Sequence, residues 1–294
     1  MSVVITIISK NAIRNIHGLL IDLQSKTPGM LYQFGEDESK YAPGFQPDVY
    51  AWIHQKSTRY LDWSSERVSH DNWHYEVRVP VCSNCIVWEL AFALIEKIAV
   101  ETEGVIYNEE MNEEDDERMD LKALEEWKAD FSCLDHLKRE LETTLSLSEF
   151  KGDVTIFGTH CPFTFNKNIN RELKAKKSPS KEFEKRMLQL QNAYLDEAYT
   201  QAADALITSG VNSKEYKAKF CSGIPFQLII NDKVDYIVFS KPGTEDVFLV
   251  PAKKVREVMP ENCFFDEYSF YVSNSSFAMW NSIMEKAALV REEI

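Results

Sequence analysis

The chain has 294 residues and a formal net charge of −14, from 33 lysines and arginines against 47 aspartates and glutamates. That length points to two domains, or to one domain with a large elaboration, since single cores rarely grow so large. A hydrophobic content of 44% with 12% aromatics excludes a disordered chain, and so acidic a field excludes nucleic acid as the expected partner.

The N-terminal run from Val3 to Ser9 reads as a strand. It is too short to cross a membrane and carries neither a basic leader nor a small-residue cleavage site, so the expectation is a soluble, cytoplasmic protein with no membrane partner. Asn11 is placed to cap a helix with Ile13, Ile16, Leu19, Leu20 and Leu23 on one face. Residues 28–48 read as a long surface loop. Three short extended runs follow, around 49–55, 59–64 and 73–81, and they hold Trp52, Trp63 and Trp73, one in each. Aromatic residues are enriched at interface centres, which makes these three candidate partner contacts; a sheet packing its own core explains them as well.

The clearest stretch is 77–107, which reads as strand, tight corner, buried helix and strand. Apolar residues at Ile86, Val87, Leu90, Ala91, Leu94, Ile95, Ile98 and Ala99 recur with helical period. Ser83 or Asn84 is expected to cap this helix, and Gly104 is expected to end it in the left-handed conformation.

Seven carboxylates crowd residues 109–117, among them Glu113, Glu114, Asp115 and Asp116. Such a run cannot pack, so it reads as a solvated linker and the expected domain boundary. Leu121, Leu124, Trp127, Phe131, Leu134, Leu137, Leu141 and Leu145 then predict one long amphipathic helix over 120–145.

The second half opens with a strand at 154–157 and the loop Gly158-Thr159-His160-Cys161-Pro162. Residues 167–181 read as a basic, polar stretch. Ser178-Pro179 starts a second long helix whose stripe runs from Phe183 through Met187, Leu190, Tyr194, Ala198 and Ala202 to Leu206. Strands at 225–230, 234–240, 246–250 and 264–272, a short helix at 253–258 and a terminal helix to about residue 291 complete the expected layout.

Six cysteines (82, 85, 133, 161, 221 and 263) without a secretory address suggest reduced, mostly buried thiols. Cys82-x-x-Cys85 at a strand–helix corner has the spacing of a redox dithiol, but its Ser-Asn interior favours a structural reading. Zinc would need a second pair of ligands, and no complementary spacing exists. His70 and His74 have ligand spacing only on a helix, and they fall in turn and strand. No glycine-rich phosphate loop is present. No cofactor and no metal are therefore expected.

The expected fold is α+β: two mixed sheet and helix lobes with largely antiparallel sheets, joined by the acidic linker and the long helix. The domains are 1–108, a linker and connecting helix over 109–150, and 151–294. The expected function is protein binding of a regulatory or immunity type, without catalysis, toward a partner with a basic surface. Glu113, Glu114, Asp115, Asp116, Trp52, Trp63 and Trp73 are the candidate contacts. The alternative is a hydrolase or transferase working from the Gly158–Phe163 loop with His160 and Cys161. Sequence alone does not set the oligomeric state.

Overall fold

The strand–helix–strand unit at 77–107 is the frame of the first half. A computed structural model describes residues 2–35, 46–67, 72–108, 118–195, 200–210, 213–222, 226–230, 234–241, 243–260, 269–272 and 277–293. Strand β1 (Ser2–Ser9) is flanked by β5 (Trp73–Pro80) and β6 (Val105–Asn108), with Ile5 opposite Val77 and Asn108. With β2 (Met30–Phe34), β3 (Gln46–Ile53), β4 (Leu61–Arg67) and β7 (Arg118–Met119), they form a seven-stranded sheet in the order β2-β3-β4-β5-β1-β6-β7. Every neighbouring pair in it is antiparallel.

Helix α2 (Cys85–Thr102) lies against β1, β3, β4 and β5, and α1 (Ile16–Lys26) packs beside it. Its apolar stripe is wide, with Trp88 and Phe92 buried alongside the aliphatic residues, so the helix fills the space between the sheet and its neighbours.

Several local expectations are corrected. Helix α1 is capped by Asn15, whose side chain accepts from the Gly18 N–H, and not by Asn11. Asn11 and Ile13 are instead held by the buried Tyr75 hydroxyl, which donates to Asn11 O (3.1 Å) and accepts from Ile13 N–H (3.0 Å). The left-handed residue that ends α2 is Glu103 (φ 52°). Gly104 is needed for space, because a Cβ there would stand 2.4 Å from Ile7 Cγ2. Residues 30–34, expected as loop, form β2 because they find β3 as a partner.

The long helix is two. Helix α3 (Leu121–Asp130), capped by Asp120, ends at Phe131, whose backbone turns extended (ψ 115°). Helix α4 (Cys133–Lys151) starts after Ser132, whose hydroxyl accepts from the Asp135 N–H. A serine three residues before an acidic residue marks a helix start, and here that local preference outweighs the continuous apolar stripe.

The chain divides into two compact units: residues 1–147, 156–159 and 173–188 in the first, and 148–155, 160–172 and 189–294 in the second. The main division thus follows Leu147, and α3 belongs with the first unit. The expected boundary at 109–117 lies outside the described residues.

In the second half, β8 (Val154–Phe157) and β9 (Pro162–Phe165) form a two-stranded sheet, and β10 (Thr200–Gln201), β13 (Phe226–Ile229) and β16 (Ser269–Val272) a three-stranded one. Helix α5 (Lys167–Lys174) replaces the expected polar stretch, with Asn166 capping it through Asn168 and Ile169 N–H. Helix α6 (Pro179–Leu195) stops short of the expected stripe. Leu206 lies on a strand, β11 (Ala203–Thr208), which pairs with β12 (Glu215–Cys221). Strands β14 (Tyr236–Ser240) and β15 (Val247–Pro251) complete that four-stranded sheet, and the pairing of β12 with β14 is parallel. A terminal helix (Phe277–Val290) packs on β14 and β15, burying Trp280, Ile283 and Ala287. The fold is α+β with mostly antiparallel sheets.

Candidate functional site

The corner before α2 is built on Cys82, a non-glycine residue with φ of 61°. That conformation costs about 1–2 kcal/mol, and its surroundings hold it in place. Glu140 on α4 accepts the Cys82 N–H through Oε2 at 2.7 Å, and the buried Cys82 Sγ lies 3.6 Å from Thr144 Oγ1. Glu140 Oε1 is also 3.1 Å from His136 Nε2. Arg59 is buried beside this corner and donates through Nη1 to the Val81 carbonyl. Burial pushes the Arg59 guanidinium below its ordinary value, against the opposing pull of Cys82, Tyr60 and Glu140. Burial likewise pushes the Cys82 thiol up to about 12, so this cysteine stays protonated and makes a poor nucleophile.

Asn84 completes the corner. Its Nδ2 donates to Lys56 O (2.8 Å) and Glu184 Oε1 (3.2 Å), its Oδ1 accepts from Thr58 N–H (3.4 Å), and its N–H donates to Thr58 Oγ1 (3.1 Å). Asn84 occupies the cap position of α2 yet gives no side-chain cap bond, because its amide is committed elsewhere.

The expectation that every cysteine is a thiol is overturned. Cys85 is bonded to Cys133, 48 residues away, with the Cα atoms 5.3 Å apart. The bond joins the first residue of α2 to the first residue of α4. Cys82 and Cys85, three apart, diverge because the left-handed corner turns Cys82 inward toward Thr144. Around the disulfide lies an aromatic layer: Phe131 is 4.5 Å from Trp88 and 5.5 Å from Phe92, and Trp127 is 4.9 Å from Phe92.

Near the far end of α2 is an open groove of about 760 Å³, bordered by α2, β6, β7 and the first turn of α3. Val100 (55% exposed), Leu121 (41%) and Val105 (38%) present apolar surface there. Glu103, Asp120, Arg118 and Lys122 among its lining residues carry charge of both signs. Strand β7 stands last in the order of that sheet. In chain order the acidic run lies between β6 and β7, two of the strands that border this groove.

The sequence-predicted residues scatter. Trp63 is 2% exposed within the core and cannot reach a partner, a correction with a plain cause: its face of β4 is the one covered by the helices. Trp52 and Trp73 are half-buried on β3 and β5. Glu113, Glu114, Asp115 and Asp116 lie outside the described residues. His160 is half-buried and Cys161 is 2% exposed. Gln191 clamps their backbone, its Oε1 accepting from both N–H groups (2.6 and 2.8 Å) and its Nε2 donating to Cys161 O (3.1 Å). Among the described residues, no group of three or more histidines, cysteines or carboxylates is arranged to hold a metal ion, and no helix is long and apolar enough to cross a membrane.

Sequence comparison finds the model of a domain of unknown function, DUF4299, over residues 18–203. The chain belongs to the DUF4299 family. The DUF4299 match spans the groove, the Cys82 corner, the disulfide and the 158–163 loop, and leaves out most of the second unit. No curated protein and no solved structure matches the chain. Sequence reasoning missed the groove and the Glu140 clamp. The clamp left a trace in the spacing of Cys133, His136, Glu140 and Thr144, which share one face of α4.

Proposed function

We propose that the protein is a non-catalytic, cytoplasmic protein-binding module whose groove between α2, β7 and α3 takes a segment of a partner with a basic surface. The observation that carries this reading is the groove itself. It gathers exposed Val100, Val105 and Leu121 at the end of a sheet, and grouped exposed apolar side chains mark interaction sites where isolated ones do not. The basic partner follows from charge: in sequence the densest acidic run of the chain stands between β6 and β7, two of the strands that border the groove, and acidic surface steers basic surface toward it.

The enzymatic alternative has less behind it. The Cys161 side chain is sealed from solvent and the Gln191 clamp leaves the 158–163 loop little freedom.

The test is a photoreactive residue placed at Val100 or Leu121, compared with the exposed apolar positions Ile21 and Leu289. A basic protein crosslinked from the first two sites and not from the controls supports the reading. Equal adducts at all four sites, or none, overturn it.

A further inference from the structure

We propose that Cys85–Cys133 is a reversible exchange site for a dithiol reductant, holding the α3 side of the groove when oxidised and releasing it when reduced. The consequence for binding rests on the protein-binding reading above; the exchange chemistry does not.

Both cysteines are half-buried rather than sealed in the core, unlike Cys82. Each is the first residue of a long helix, where the helix dipole favours sulfur that carries negative charge. The two ends differ. Asp135 stands in the first turn of α4, whereas the first turn of α2 has no acidic residue, so Cys85 is the better leaving group. The reductant thiolate therefore attacks Cys133 Sγ, the S–S bond breaks, and Cys85 departs as a thiolate at the α2 terminus. The second thiol of the reductant then attacks its own sulfur in the mixed disulfide and expels Cys133. Two electrons pass to the protein, two protons follow them to the freed cysteines, and the reductant leaves as a disulfide. Cys82 stands aside, because its buried thiol is engaged with Thr144 and held protonated.

What reduction releases follows from how the two helices are attached. Helix α4 keeps Glu140 on the Cys82 N–H and buries Leu137, Leu141 and Leu145. Helix α3 buries only Leu124 and otherwise leans on Trp127 and the adjoining Phe131. The covalent tie sits at the junction of the two helices, so its loss acts on residues 121–132. That segment carries Leu121 and Lys122 of the groove.

The experiment is amide hydrogen exchange on the full chain, oxidised and after dithiothreitol, with the cysteine state read by mass. Reduction is expected to speed exchange about tenfold or more in 121–132 while 86–102 stays protected, as for a local opening, and re-oxidation restores the first pattern. The Cys85→Ser/Cys133→Ser variant should match the reduced chain. A pair that yields only on global unfolding, or a reduced chain with unchanged protection in 121–132, overturns the proposal. Crosslinking from Leu121 should weaken on reduction; persistence at full strength overturns the control of binding. If no crosslink forms in either state while 121–132 still opens, the exchange site stands and the groove reading fails.

Discussion

Glu140 is the side chain whose removal most directly tests how the first unit holds its strained corner. Glu140→Ala deletes the acceptor of the buried Cys82 N–H at 2.7 Å and the neighbour of His136 Nε2 at 3.1 Å. A hydrogen bond to a charged group contributes about 1.5–3 kcal/mol, and here it holds the left-handed Cys82 in place. The expected loss is about 2–3 kcal/mol, that of the hydrogen bond itself. Glu140→Gln keeps an amide oxygen for the Cys82 N–H and should cost about 1 kcal/mol. Urea unfolding followed by tryptophan fluorescence reads both, since Trp88 on α2 packs 4.9 Å from His136, one turn from Glu140 on α4. A loss below about 0.5 kcal/mol for the alanine variant, the usual range for a surface site, would refute the clamp.

Two further outcomes follow from the same unit. Removing the disulfide as Cys85→Ser/Cys133→Ser should lower stability by at most about 4 kcal/mol, the chain-entropy ceiling for a loop of 48 residues, measured by urea unfolding without reductant; an unchanged midpoint would contradict it. Tyr75 is fully buried, and burial raises its hydroxyl from 10.0 to about 12. Because the folded value lies above the unfolded one, its stabilisation is whole below pH 10 and is lost as pH rises toward 12. Tyr75→Phe should cost about 1–2 kcal/mol at neutral pH and flatten that alkaline decline; an identical decline in the variant would count against it.

The 77–107 unit was legible because both periodicities fall within one short stretch and agree there with the final packing, although the chemistry of both helix ends differs in detail. Elsewhere local and distant influences part. The stripe Ala198, Ala202, Leu206 keeps helical spacing, yet β11 forms because β12 is there to pair with it, and Leu206 ends up exposed. The break between α3 and α4 was written in Ser132 and Asp135, but a regular apolar stripe across them concealed it. Partners of a disulfide leave no periodic trace, so Cys85 and Cys133 could not be matched from spacing. The groove was illegible for a similar reason. Val100, Val105 and Leu121 are unremarkable singly and become a surface only when α2, β6 and α3 converge.

The central claim, that this groove binds a basic partner, is tested most directly by the affinity of the crosslinked partner for the chain and for Val100→Asp/Leu121→Asp. Hydrogen exchange of the variant confirms that its fold is intact. Two apolar contacts at about 1–2 kcal/mol each predict a loss of affinity of about a hundredfold, and an association rate that falls as salt rises from 0.01 to 0.1 M, where the screening length shrinks from about 30 to about 10 Å. Unchanged affinity in the variant, with an association rate indifferent to salt, would contradict the account.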